Sequence, residues 1–228
     1  MTQTQVPLPF NNKVTCRLVD FIGSGKVVDA LSHYQTLPHL TYLWGAPFAG
    51  KTFLLSALYD ALLVAGEKVM VVDALNVLDP DLMDYLLCSH DYLLVEDVEQ
   101  LSGNKSNETA LFNLYNACQS SQTKLLLTAS CSQRDEQWRL PDLKSRLNSG
   151  LILSLEVLKG ADALLCIRQL FERNGMPLEE TVVNYLNTTQ NSSLTNLYPL
   201  FMQLSMDTLK FKRKVTIPMV KQALVNIQ

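Results

Sequence analysis

Eight residues constrain this chain more than any others: Gly45-Ala46-Pro47-Phe48-Ala49-Gly50-Lys51-Thr52. They fit G-x-x-x-x-G-K-[ST], the pattern of a phosphate-binding loop. Their context agrees with the pattern. Leu40 to Trp44 before them is apolar and rich in strand formers, and Phe53 to Leu63 after them repeats apolar residues at helical spacing. Strand, glycine loop and helix in that order put backbone N–H groups and the positive end of a helix dipole against phosphate oxygens. The spacing therefore predicts nucleotide binding across Gly45 to Phe53, with Lys51 on the outer phosphates and Thr52 as a ligand to Mg²⁺.

Composition narrows the class of protein around that loop. With 228 residues, 47% apolar and 18% charged, the chain can bury a core and is not of the disordered kind. A formal charge of −3 argues against a broad nucleic-acid surface, and Lys210 to Lys214 reads as a solvated helix end. Five scattered cysteines with no C-x-x-C pair read as reduced thiols, and the three histidines have no zinc spacing. Neither a leader peptide nor a run long enough to span a bilayer is apparent, so the expected setting is cytoplasmic, without membrane contact.

Taken in order, residues 1–13 read as an extended polar tail. Within it lies Gln5-Val6-Pro7-Leu8-Pro9-Phe10, where two prolines stiffen the backbone and Val6, Leu8 and Phe10 offer apolar anchors. On the residues alone, a peptide ligand and a segment folded back on its own domain stay open. Phe21-Ile22 precede a Gly-Ser-Gly turn and an amphipathic stretch, and are placed where a nucleotide base could pack. After the loop helix, Gly66 breaks the helical pattern and residues 68–73 read as a second, buried strand. Pro80 is expected to open a short helix.

The third strand, from Asp91, ends in Glu96-Asp97, an acidic tip of the Walker B kind. The usual order is Asp on the Mg²⁺ shell followed by Glu on the attacking water. Here Glu96 takes the metal position and Asp97 the water position. One methylene too many and one too few displace both groups by roughly 1 Å, which can cost about 10²-fold in rate. Binding without efficient hydrolysis is the expectation. A helix at 108–119 and a fourth strand follow, the latter ending near Thr128, whose hydroxyl could sense a terminal phosphate. Residues 131–139 read as a polar loop. A short helix from Pro141 to Leu147 and a fifth strand at 151–155 complete the alternation, which predicts a parallel sheet with helices on both faces. Beyond about 157 the pattern is helical only, at 162–173, 178–188, 192–210 and 217–226, with Pro199 expected to kink the third helix or mark its start.

These pieces together resemble the AAA+ ATPases, more narrowly the initiator clade, the ATPase domain of the bacterial replication initiator DnaA. The residues that carry the likeness are Tyr42-Leu43-Trp44-Gly45, Ala110 to Asn116, Leu140 to Leu147 and Lys214-Val215-Thr216-Ile217-Pro218. The resemblance covers nearly the whole chain and is nearest to the DnaA-homologous regulators, which lack the initiator's helix-turn-helix DNA-binding domain. It implies a five-stranded α/β P-loop core at 14–157, a small all-α lid at 158–228 and bound ADP or ATP with Mg²⁺. Gln5 to Phe10 is similar to that group's peptide for the β subunit sliding clamp of DNA polymerase. DnaA is the implied second partner, DNA is reached only through the clamp, and a homodimer is left open. Such regulators stimulate hydrolysis of DnaA-bound ATP, and by resemblance Arg146 is the arginine finger offered in trans.

The chain also departs from that pattern. The lid arginine that touches the nucleotide in cis, sensor II, is replaced by Thr195, and no arginine occurs from 174 to 212. Arg168 on the first lid helix is the candidate substitute. Glu96 and Pro199 are the other departures. They favour a clamp-tethered adaptor with little activity of its own. The competing expectations are an autonomous ATPase of helicase-loader type and a divergent nucleotide-binding or nucleotide-free interaction protein.

Overall fold

The structure, a computed structural model, describes residues 16–79, 90–188, 192–211 and 214–227. The peptide at 5–10 and the short helix expected from Pro80 lie outside them. Strands β1 (Leu40–Gly45), β2 (Val69–Asp73), β3 (Tyr92–Glu96), β4 (Lys124–Ala129) and β5 (Leu151–Leu155) form one sheet in the order β2-β3-β4-β1-β5. Every pairing is parallel. Strands buried on both faces must be apolar at successive positions, and these are. Tyr42, Leu93, Val95, Leu125 and Leu127 face one core, shared with α3 (Lys105–Ser121) and α4 (Pro141–Ser149). Leu43, Leu94, Leu126 and Leu153 face the other, shared with α1 (Gly25–Ser32) and α2 (Lys51–Val64).

The register brings three functional segments to one edge of the sheet. Gly45 pairs with Leu155, and Asp73 pairs with Glu96. A Cβ on Gly45 would meet the Leu155 carbonyl oxygen at 2.7 Å, so only glycine lets β1 run this close to β5 while leading into the loop. In open α/β sheets such carboxyl ends form the ligand crevice.

Residues 131–139, expected to be a polar loop, carry one of the largest buried side chains. Trp138 is 2% exposed and packs in the core beneath α3 and α4. The irregular backbone beside it is satisfied by Glu108, also buried. Its carboxylate accepts from the N–H groups of Gly103 (2.8 Å), Arg139 (2.9 Å) and Leu140 (2.6 Å). Leu140, the N-cap of α4, has no side-chain cap of its own. Glu108 supplies negative charge at that helix start from a neighbouring helix.

The remainder is helical: α5 (Gly160–Arg173), α6 (Glu180–Thr188), α7 (Leu194–Phe211) and α8 (Ile217–Ile227). They enclose a separate core in which Phe171 meets Phe201 edge-on, 5.0 Å between centroids. Pro199 lies inside α7, which already starts at Leu194, so it does not mark that helix's beginning. The start of α7 is tied to the segment between β5 and α5, for Leu194 N–H donates to the Leu158 carbonyl at 2.9 Å and Gly160 N–H to that of Ser192 at 2.6 Å.

Candidate functional site

The loop between β1 and α2 has the backbone that its sequence requires. Gly50 is the N-cap of α2 at φ 95°, ψ 18°, a left-handed conformation that favours glycine. Phe48 at the loop tip also has positive φ, 67°, which is costly for an aromatic residue. Lys51, 9% exposed, donates from Nζ to the carbonyls of Gly45 (2.8 Å) and Ala46 (3.4 Å). Those two neutral acceptors hold the ammonium at the mouth of the loop, where a phosphate oxygen would replace them with a stronger, charged partner.

A cleft of about 630 Å³ opens over this loop. Pro47 to Phe53 form its floor, and Asp20, Phe21 and Ile22 form one wall. The Phe21 ring lies 6.0 Å from that of Phe53 and so close to Gly50 that a Cβ there would meet it at 2.7 Å. The opposite wall is acidic, with Asp97 and Glu99 beside Ser130. The lid closes the top. Cys166, Gln169, Leu170 and Arg173 present one helical stripe of α5, and Leu194 and Tyr198 come from α7. Arg173 pairs with Asp20 at 3.1 Å, and the rings of Phe48 and Tyr198 lie 5.5 Å apart.

The acidic strand tip divides its two carboxylates. Burial and then Asp97 push the Glu96 carboxyl above its ordinary range, against a hydrogen bond with the Thr52 side chain. Burial and then Glu99 likewise raise Asp97, which Lys51 partly offsets. Asp97 sits at φ 54°, and its N–H donates to Thr128 Oγ1 at 3.1 Å. Thr128 is 1% exposed and does not line the cleft. Its hydroxyl anchors the strained turn of Asp97, while Ser130, two residues on, is the β4-end hydroxyl in the wall.

The donor set suits Mg²⁺. Thr52 and Glu96 supply hard oxygens in mutual contact, and no cluster of three or more ligating side chains occurs among the described residues. Mg²⁺ keeps most of its waters and needs only one or two protein oxygens.

The structure separates other expected residues from this cleft. Arg168 is on the far side of α5 from the lining stripe, held by Glu172 at 3.2 Å and Glu180 at 2.9 Å. The α5 arginine in the cleft is Arg173, one residue before the arginine-free stretch. Thr195 is exposed and outside the lining, between Leu194 and Tyr198, which are in it. Arg146 also lies outside its own cleft, exposed on α4, its guanidinium carbon 5.6 Å from the centroid of the Tyr115 ring. Asp20, Glu99, Arg173 and Tyr198 were not evident as cleft residues from the sequence. Arg173 was within reach, since 166, 169, 170 and 173 form one face of a helix. The other three depend on how separate segments meet.

A family model described as the bacterial DnaA ATPase domain matches residues 30–156, and one described as the lid domain of Hda matches residues 162–224. Domain III of the replication initiation protein DnaA from Thermotoga maritima superposes with a TM-score of 0.77 at 20% identity, covering 96% of this chain and 98% of that one. A replication initiator DnaA bound to AMPPCP and single-stranded DNA gives 0.69 at 18% identity over 84% of this chain. This chain spans 65% of that protein's length. A RuvB variant from Thermotoga maritima gives 0.67 at 18% identity, over 92% of this chain and 71% of that one. No described helix is long and apolar enough to cross a membrane. These likenesses establish an AAA+ α/β fold with a C-terminal helical lid, and the match over more than half its length makes this chain a member of the bacterial DnaA ATPase-domain family.

Proposed function

We propose that this chain is a regulatory adaptor of replication initiation that binds ADP or ATP for its own architecture and acts on the nucleotide of another subunit. Lys51 and the Gly45–Thr52 loop hold the phosphates, Thr52 and Glu96 hold Mg²⁺, and Phe21, Ile22 and Phe53 wall the base. The metal, when bound, neutralises phosphate charge. Arg146 is the arginine finger, directed at ATP bound to DnaA, and its fixed guanidinium stabilises the negative charge of the phosphoryl transition state. Gln5 to Phe10 tethers the chain to the sliding clamp.

The observation that carries this reading is the position of Arg146. It is exposed, outside the cleft of its own subunit and held over an aromatic ring rather than by a carboxylate among its described contacts. Weak intrinsic turnover follows from Glu96 and Asp97, neither of the usual length for its place at the strand tip. The test is reconstitution. The chain should raise ATP turnover by DnaA only with clamp-loaded DNA, and deletion of residues 5–10 should abolish both clamp binding and stimulation. Clamp binding unaffected by that deletion contradicts the tether.

A second reading has one observation in its favour: a complete phosphate loop facing Asp97 across the cleft. It makes the chain an ATPase in its own right. Substantial turnover by the isolated protein, lost in Lys51→Ala, would establish it.

A further inference from the structure

Arg146 is a long, exposed side chain on a short helix, and such a side chain loses about 2 kcal/mol of rotamer freedom when it must act from one position. Something has to hold it. Its own helix, α4, has one acid, Asp142, a single turn before Arg146, yet the two form no ion pair among the described residues. Neither salt bridge nor hydrogen bond from the Arg146 guanidinium occurs among the described residues. What lies beneath it is the ring of Tyr115 on α3.

Tyr115 is built to be a fixed platform. It is 5% exposed and belongs to the core between α3 and α4. The His39 ring meets it nearly edge-on, 5.3 Å between centroids at 74°. Burial lowers the pKa of that histidine, so it brings no charge to compete with the guanidinium at neutral pH. The helix that carries Arg146 is itself fixed at its start by Glu108, through the N–H groups of Arg139 and Leu140. Ring and helix are thus secured to one another through α3, which carries both Tyr115 and Glu108.

We infer that Tyr115 is a positioning residue for Arg146: its ring presents the guanidinium outward to a partner's nucleotide. This rests on the trans role proposed for Arg146. An ion pair would have offset the charge; a ring attracts the cation while leaving its N–H groups for phosphate oxygens. Phenylalanine has the same quadrupole, and leucine has none.

The experiment has two arms. The first is NMR of the isolated chain. The Arg146 side-chain protons should carry a ring-current shift that survives Tyr115→Phe and disappears in Tyr115→Leu. No such shift in the unmodified chain overturns the contact. The second arm is stimulated ATP turnover by DnaA on clamp-loaded DNA. Tyr115→Phe should keep it, and Tyr115→Leu should lower its maximum about 2- to 5-fold, the size of an exposed cation–π contact. In an Arg146→Ala background Tyr115→Leu should change nothing further. If Arg146→Ala lowers turnover but Tyr115→Leu does not, or Tyr115→Phe fails equally, the positioning role is wrong and the finger stands. If Arg146→Ala itself leaves turnover unchanged, the proposed function fails first. Unchanged circular dichroism of the Leu variant separates either result from misfolding, and the Phe variant tests the inference if the Leu variant does not fold.

Discussion

The ring of Phe48, at the tip of the phosphate-binding loop, lies 5.5 Å from the ring of Tyr198 on the third lid helix, tilted by 41°. The loop tip therefore touches the lid directly, and it does so from a backbone with positive φ. Such a conformation persists where surrounding contacts over-determine it.

Replacing Phe48 with alanine should loosen the lid. An aromatic pair contributes about 0.5–1.5 kcal/mol beyond its buried area. Amide hydrogen exchange in α7 should accelerate several-fold, while amides of β3 and β4 stay as they are. Equal acceleration in the sheet would mean that the ring stabilises the core rather than the lid.

Glu96 should cost stability at neutral pH. Its carboxyl is raised by burial first and Asp97 second, so the folded chain binds that proton more tightly than the unfolded one. Stability is then fully retained below the ordinary carboxyl range and falls as pH rises through the raised value. Glu96→Gln should increase Tm at about pH 7 and leave it unchanged at about pH 3. On the Mg²⁺ role proposed for Glu96, the same variant should weaken the Mg²⁺ dependence of nucleotide binding. A lower Tm at neutral pH contradicts the burial argument.

Glu108→Ala should be severe. It leaves the buried N–H groups of Gly103, Arg139 and Leu140 without their acceptor, at about 1–3 kcal/mol for each orphaned group that water cannot reach. Denaturant unfolding should show a loss of at least that size, with Trp138 fluorescence changing first. Glu108→Gln, which keeps one acceptor oxygen, should fall between. Equal stability of the Ala variant would show that the loop finds other partners.

How much of this was legible follows from the range of each interaction. Gly45 to Thr52 declared loop, helix start and ligand because all its determinants lie within eight residues. The parallel sheet is legible because its strands are largely apolar on both faces and alternate with helical patterns. Trp138 and Glu108 were not, since a polar-looking segment conceals a core side chain when its polar backbone is satisfied from thirty residues away. Thr128 ends a strand, a place from which a hydroxyl could meet a phosphate; in the fold it is buried outside the cleft and accepts from the Asp97 N–H. Arg168 and Arg173 share one helix, and helical phase decides between them.

Asp20 and Arg173 form a half-buried link between core and lid. The Asp20 carboxyl is held below its ordinary range, chiefly by the hydrogen bond from Arg17, with Arg173 adding to it. Its contribution is present above the ordinary carboxyl value and is lost as pH falls through the depressed one. Asp20→Asn should therefore speed lid exchange at neutral pH and at low salt, with the difference vanishing in about 1 M salt. No effect at low salt would show that the pair is incidental.

The trans role proposed for Arg146 is tested most directly by the rate at which DnaA hydrolyses its bound ATP on clamp-loaded DNA, with the unmodified chain and with Arg146→Ala. The variant should still fold, bind nucleotide and bind the clamp, yet lose stimulation by about 10³-fold or down to the unstimulated rate. Stimulation by Arg146→Ala equal to that of the unmodified chain would contradict it.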